Sequence, residues 1–272
     1  MSTIKPDTTP AAHPAQQGDE VQSFWSHLDE LRRALMRLAG VLIVALVALF
    51  VAMPYLFDRV ILAPTEGDFL LYRWVGALAG SDSPLADPHF SVGLINVRLA
   101  SQFLTHLSAS FWLALLLSFP YLIYEVWRFI RPALYPYERR SVRIALWSST
   151  GLFYLGCAVG YLVVFPLTFR FLATYTLSPS IENTLSLDSY MGNFLGLIFV
   201  MGLAFELPML CRLLSAIGII TRDGLRRYRR HMVVALLLIA AFITPSGDPF
   251  TLAVVFAPLY LLYEAGICIA HR

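Results

Sequence analysis

The chain has 272 residues, 58% of them hydrophobic and only 14% charged, with a formal net charge of +2. Soluble domains carry about 25% charged residues, so the deficit points to a polytopic membrane protein. Cys157, Cys211 and Cys268 are odd in number, lack CxxC spacing and lie in apolar runs; they imply neither a disulfide framework nor a zinc site and read as small buried hydrophobes.

The first 22 residues are polar and proline-containing, without the apolar core of a signal peptide, and are expected to be a disordered tail ahead of a membrane domain over 23–272. From Ser23, an expected N-cap, to Leu38 the spacing of Phe24, Trp25, Leu28, Leu31, Leu35 and Leu38 predicts an amphipathic helix. Asp29, Glu30, Arg32 and Arg33 line its polar side. Residues 38–57 carry no charge. At ~1.5 Å per residue they can cross a ~30 Å hydrocarbon core. An outer loop over 58–98 follows, with a short interfacial helix expected over Phe69–Leu78. The second apolar run, Leu99–Tyr124, leads into FPYLIYEVWRFIRPALYPYERR. There Pro132 and Pro136 break helix geometry and Glu138 stands beside Arg139 and Arg140.

The third run spans Ile144–Phe169 and the fourth Ser189–Ser215, interrupted by Glu206, Pro208 and Arg212. A basic loop, Thr221–Arg230, precedes Met232–Thr244, which as a helix rises only ~20 Å. The last run, Phe250–Ala270, contains Pro258 and Glu264. The predicted fold is all-α, with six transmembrane helices of which the last two are short. Basic residues concentrate in the first segment and in the loops 128–143 and 222–230, whereas the intervening segments hold only Arg59, Arg73, Arg98 and Arg170. The positive-inside rule then puts both termini and these two loops in the cytoplasm. The arginine clusters read as topology determinants; no aromatic stacking platform accompanies them, and no nucleic-acid partner is expected.

Several motifs together resemble the TatC family, the receptor subunit of the twin-arginine protein translocase. His27-Leu28-Asp29-Glu30-Leu31-Arg32 resembles the motif that opens its members, and Phe119, Pro120, Tyr124, Glu125, Trp127, Phe129, Pro132, Leu134, Glu138, Arg139 and Arg140 match its loop signature. Ala63-Pro64, Phe165-Pro166 and Phe205-Glu206-Leu207-Pro208 resemble further elements. The resemblance covers Ser23 to Arg272. It implies six spans with short fifth and sixth helices. It also implies a receptor for Arg-Arg signal peptides of folded cargo in the bacterial inner membrane, with single-span TatA/TatB-type partner subunits, surrounding lipid and self-association.

A guanidinium binds a carboxylate through a planar, two-pronged hydrogen bond. The resemblance gives Glu30 and Glu138 this role toward the two arginines, with Arg33 beside them and Leu134, Tyr135 and Trp127 supplying apolar contact. The residues alone are equally consistent with both glutamates simply pairing with Arg33, Arg139 or Arg140. Glu206 lies inside an apolar run, where an ionisable group is costly and marks a functional candidate. Glu125 and Glu264 lie nearer the boundary, where snorkelling or hydration satisfies a carboxylate. Thr244-Pro245-Ser246-Gly247-Asp248 resembles the family's T-P-x-D turn with one extra residue, and Thr251-Leu252 stand where a glutamine is usual. The resemblance assigns Thr244 and Asp248 to partner-subunit contact.

The histidines show no metal-ligand spacing, and no Walker loop, GxGxxG or Ser/His/Asp arrangement occurs. No metal, cofactor or enzymatic activity is expected. The competing reading, a proton-coupled transporter with Glu206 as relay, calls for inverted repeats, and no internal repeat is evident.

Overall fold

The computed structural model describes residues 15–79, 90–130, 138–178, 183–216, 218, 220–244 and 247–270. Within these, the side chains of 15–27, 75–79, 130, 138–145 and 216 lie outside the description. Helix α1 (Ala15–Leu56) runs into a π turn (Phe57–Ile61) and a 3-10 turn (Ala63–Thr65), followed by α2 (Leu70–Ala79). Strand β1 (Leu94–Ile95), α3 (Ser101–Ile130) and α4 (Glu138–Val159) come next. A π turn (Gly160–Val164) joins α4 to α5 (Phe165–Thr174), and β2 (Leu185–Ser186) leads into α6 (Leu187–Ala204) and α7 (Leu207–Ala216). The chain ends with α8 (Arg222–Arg227), α9 (Arg229–Ile243) and α10 (Pro249–Ile269).

Helix α1 starts at Ala15, so residues 15–22, read from the sequence as tail, are helical. Past Pro14 this stretch contains no further proline, and alanine, glutamine and glutamate favour helix. Five segments are long and apolar enough to cross a membrane: Leu28–Thr65, Ser101–Phe129, Leu146–Thr174, Leu187–Ser215 and Pro249–Ile269. The remaining helix of the expected six, α9, has 15 residues and rises only ~22 Å, in line with the short fifth span expected. The last span, at 21 residues, is shorter than the others yet long enough to cross.

Helix α1 packs on α3, α4 on α6, and α10 on both α7 and α9. Two apolar clusters share the third and fourth spans. One joins Met53, Phe119, Phe153 and Phe165 to Tyr190 and Phe194; the other joins Leu197 and Met201 to Leu236, Val255 and Leu259. At the end of the bundle opposite the basic loops, β1 pairs in parallel with β2, Leu94 against Leu185, and ties the two long connections together. The expected interfacial helix appears as α2. It is anchored rather than floating, because the buried Tyr72 hydroxyl donates to the carbonyls of Pro64 and Pro166, 3.1 Å each. Burial pushes the Tyr72 phenol pKa up and keeps it a donor.

A proline inside a helix removes the N–H that would serve the carbonyl four residues earlier, and hydrocarbon offers no water in its place. Two such carbonyls, and a third at a π-to-3-10 junction, are taken by side chains from neighbouring helices. Pro54 vacates Phe50, whose carbonyl lies 2.8 Å from His106 Nε2; a carbonyl only accepts, so Nε2 carries the proton. The Val60 carbonyl, left free where the π turn gives way to the 3-10 turn, accepts from the Tyr161 hydroxyl at 2.9 Å. Pro120 vacates Leu116, which accepts from the Tyr154 hydroxyl at 3.1 Å. Each proline thereby creates an interhelical hydrogen bond.

The third and fourth spans meet through small residues. A Cβ at Gly156 would lie 2.6 Å from the Met201 carbonyl oxygen, one at Gly160 would lie 3.1 Å from Ile198 Cα, and one at Gly202 would lie 2.6 Å from Cys157 Sγ. Gly156 and Gly160 form a G-x-x-x-G pair, a spacing that lets two helix backbones approach closely.

Losing the donor while leaving the carbonyl buried costs about 1–3 kcal/mol. Tyr154→Phe is therefore expected to lower the melting temperature of the detergent-solubilised protein. In a Pro120→Ala background, where residue 120 supplies its own N–H, the same substitution is expected to cost clearly less; equal costs in both backgrounds would refute the assignment.

Candidate functional site

The basic end of the bundle is organised by an ion pair between the first two spans. Along α1 the half-buried positions Glu30, Ala34, Arg37, Leu38 and Val41 recur at three- and four-residue spacing, and this stripe faces α3. Arg37 donates from Nε and Nη2 to the two oxygens of Glu125, each at 2.8 Å, the planar two-pronged geometry peculiar to arginine. The Tyr121 hydroxyl, one turn earlier on α3, donates to Glu125 Oε1 at 2.7 Å. Glu125 is 5% exposed. It is satisfied by arginine and tyrosine rather than by the hydration expected from its place near the boundary.

Glu30 lies two turns before Arg37 on the same stripe, and among the described residues it forms no ion pair. Arg33, the nearest candidate to neutralise it, instead donates from Nε to the Asp29 carbonyl at 3.2 Å. Glu138 is the first residue of α4; its side chain lies outside the description, and Leu134 and Tyr135 lie outside the described residues altogether. An aromatic cleft opens between the second and third spans, lined by Pro120, Ile123, Tyr124, Trp127, Leu146 and Trp147. Tyr124 is 50% and Trp147 67% exposed.

The sequence reading missed that the acid clamp recurs. Tyr121-Leu122-Ile123-Tyr124-Glu125 is matched by Tyr260-Leu261-Leu262-Tyr263-Glu264. In the second copy Arg229, from the preceding span, donates to Glu264 Oε2 at 2.6 Å, and Tyr260 donates to Oε1 at 3.1 Å. Both hairpins, spans one–two and five–six, are joined by chain at the far end and by an Arg–Glu–Tyr cluster at the basic end. The five-residue recurrence was the signal that could have revealed this.

Glu206 is the acid of the middle hairpin, set deeper in its span than Glu125 and Glu264 are in theirs. It sits at the break between α6 and α7, half-buried, and its partner is the Ser149 hydroxyl of the third span, which donates to Oε2 at 2.5 Å. Oε1 is buried and accepts no hydrogen bond among the described residues. The even-numbered spans thus each carry an acid held by the span before, and only the middle one is held by a neutral group.

Thr244 and Asp248 serve local structure. The buried Thr244 hydroxyl donates to the Ala240 carbonyl at 3.0 Å, and Asp248 Oδ1 caps α10 by accepting from the Thr251 N–H at 2.7 Å. The extra residue of this turn is accommodated because Gly247 takes a left-handed conformation, φ 61°, which only glycine adopts freely. Thr251 is fully buried, and its Oγ1 makes no hydrogen bond among the described residues. At the far end Arg98 and Ser101 both bind Asp188, tying the first long connection to the start of the fourth span. Arg170, 0% exposed, lies between the rings of Tyr72 and Phe90, 4.5 and 4.6 Å from their centroids. Composition alone gave no sign of a buried arginine there. Cys157 is buried and Cys211 half-buried, as read from the sequence, but Cys268 is exposed on the last turn of α10.

Long apolar helices cross-linked by buried polar pairs define a multi-pass α-helical membrane protein. Residues 26–258 match the family described as Sec-independent protein translocase protein (TatC). The Sec-independent protein translocase protein TatC of Blattabacterium sp. is 33% identical, over 91% of this chain and 94% of that one. Its counterpart in Escherichia coli K12 is 32% identical, over 92% and 88%. A crystal structure described as the twin arginine translocase receptor TatC matches with a TM-score of 0.69 at 29% identity, covering 89% of this chain and 97% of that chain. This chain belongs to the TatC family of Sec-independent protein translocase proteins.

Ser149→Ala leaves both Glu206 oxygens without a donor and is expected to destabilise the protein by about 1–3 kcal/mol. Glu206→Gln, which can still accept from Ser149, is expected to cost less. Melting curves in detergent for the two variants check the order, and the reverse order would show that Ser149 does not hold Glu206.

Proposed function

We propose that this chain is the signal-peptide receptor of a twin-arginine translocase that moves folded proteins across a bacterial inner membrane, with both termini cytoplasmic. Family membership supports the reading, and the related crystal structure carries the receptor description. The orientation follows from the basic residues of the loops 128–143 and 222–230. The observation that carries the residue-level reading is the Glu30 carboxylate. It stands on the stripe facing the second span, at the basic end, with its neighbour Arg33 directed elsewhere.

Glu30 and Glu138 each take one guanidinium of the Arg-Arg motif, with Arg33 bordering the site. Leu134 and the aromatic cleft at Tyr124 and Trp127 accept apolar residues of the signal peptide. Glu206, half-buried and held by a neutral serine, is a polar contact point for a helix of a partner subunit. Thr244 and Asp248 border the surface that meets single-span TatA/TatB-type subunits, and copies of the chain associate within the lipid. The transporter alternative gains nothing from Glu206, whose hydrogen-bond partner is a single serine rather than a chain of titratable groups.

Hydrogen bonds to charged groups contribute about 1.5–3 kcal/mol each. Glu30→Ala and Glu138→Ala are each expected to weaken binding of an Arg-Arg signal peptide to the nanodisc-embedded protein by roughly 10- to 100-fold. A photo-crosslinker at Tyr137, which leaves Glu138 in place, is expected to label an Arg-Arg peptide strongly and a Lys-Lys peptide weakly. Equal labelling of the two, or unchanged affinity in the folded double variant, would sink the reading.

A further inference from the structure

We propose that the Arg37–Glu125–Tyr121 cluster is the positioning element of the receptor site: it sets the register of the helix bearing Glu30 against the helix that leads to Glu138, and it keeps Glu125 from competing for the peptide's arginines. The inference rests on the proposed receptor function.

The geometry is specific to the first hairpin. Glu30 and Arg37 are seven residues apart on one uninterrupted helix, so they lie ~10 Å apart on the same face. Fixing Arg37 fixes the direction in which Glu30 points. Glu125 lies five residues before the end of α3, and the loop carrying Glu138 departs from that end. Among the hydrogen bonds described between the two helices, the cluster is the one that stands closest to Glu30 and to the end of α3. Span one needs such a tie, because no residue of its apolar window is fully buried. It packs along one side only, against lipid tails as apolar as itself, and apolar attraction does not fix its register.

The cluster also uses up Glu125. Its two oxygens accept three hydrogen bonds, two from Arg37 and one from Tyr121, and the residue is almost fully buried. An incoming guanidinium has no open edge of this carboxylate to bind. Of the acids at this end of the first hairpin, Glu125 is closed while Glu30 is left without an ion pair among the described residues.

The second Arg–Glu–Tyr cluster supplies the control. Arg229–Glu264–Tyr260 has the same composition at the same end of the bundle, but neither of its helices carries Glu30 or Glu138. A merely structural role predicts that both clusters behave alike; a positioning role predicts that only the first moves peptide binding.

The test uses the full chain in nanodiscs and a fluorescent Arg-Arg signal peptide, with a photo-crosslinker at Asp29 or at Tyr137. Arg37→Glu and Glu125→Arg are each expected to weaken binding at least roughly tenfold and to abolish labelling from position 29, while labelling from 137 at saturating peptide persists. The reciprocal exchange, Arg37→Glu with Glu125→Arg, is expected to recover most of the affinity and the label at 29. Arg229→Glu is expected to lower the melting temperature comparably while leaving peptide affinity within about twofold. Single variants that bind like the unmodified protein would overturn the inference. So would an exchange variant that melts normally without regaining binding, or an Arg229→Glu variant that loses binding to the same extent. If the unmodified chain does not prefer Arg-Arg over Lys-Lys, the receptor reading falls and takes this inference with it; if that preference holds and only the Arg37 and Glu125 variants are silent, the inference alone is wrong.

Discussion

Hydrocarbon supplies no hydrogen-bond partner, so every carbonyl freed by a proline and every carboxylate placed inside the bundle must be answered by another helix. Most of the contacts that fix this fold follow from that requirement. Pro54 and Pro120 break the ladders of the first two spans, and His106 and Tyr154 reach across to the vacated carbonyls. Glu125, Glu206 and Glu264 are answered by Arg37, Ser149 and Arg229, in each case from the preceding span. Lipid tails compete with side chains for apolar contact, so apolar burial alone discriminates weakly between helix arrangements. Polar demand discriminates strongly, because only one register puts the donor opposite the acceptor.

The polar ties are distributed unevenly along the bundle axis. At the far end the connections are joined by the β1–β2 pairing, the Asp188 cluster and Tyr72 spanning two carbonyls. In the middle, the third and fourth spans come together on Gly156, Gly160 and Gly202, where backbone meets side chain with no room for a Cβ. The outer hairpins are closed at the basic end by arginine, and the central one is tied deeper in the bundle by serine. The central hairpin is therefore held by packing and the flanking hairpins by charge. This matches their neighbours, since the central spans contribute to both apolar clusters while the first span lies at the edge.

Much of the architecture was legible in the sequence, because span length, loop charge and helix-breaking prolines are local properties. The uncharged run 38–57, the short helix near Met232–Thr244 and the Phe69–Leu78 helix all reappear within a few residues. Pairing was not legible. Glu125 and Glu264 look alike as boundary acids, and nothing local states that Arg37 stands 88 positions away from one and Arg229 35 away from the other. The Y-L-x-Y-E recurrence and the Gly156-x-x-x-Gly160 spacing were visible but are too short to stand out until their contacts give them meaning. For the site, the sequence supplied Glu30, Glu138 and Glu206 as candidates. Which acids are already occupied is a tertiary fact, and it separates Glu125 from Glu30 although both are glutamates near the same boundary.

A receptor for paired guanidinium groups on a basic surface must solve a problem of its own making. On the proposed reading, the arginines of the basic loops are also the nearest competitors for Glu30 and Glu138, at far higher effective concentration than any peptide. The described part of this chain deals with them individually. Arg37 and Arg229 are committed to buried or half-buried acids one span away, each with a tyrosine completing the cluster. Arg33, one turn from Glu30, is drawn to a backbone carbonyl instead. A carboxylate such as Glu125 can therefore be essential to recognition without touching the ligand: by occupying Arg37 on both prongs it removes one competing cation and, in the same contact, removes itself as a competing acid.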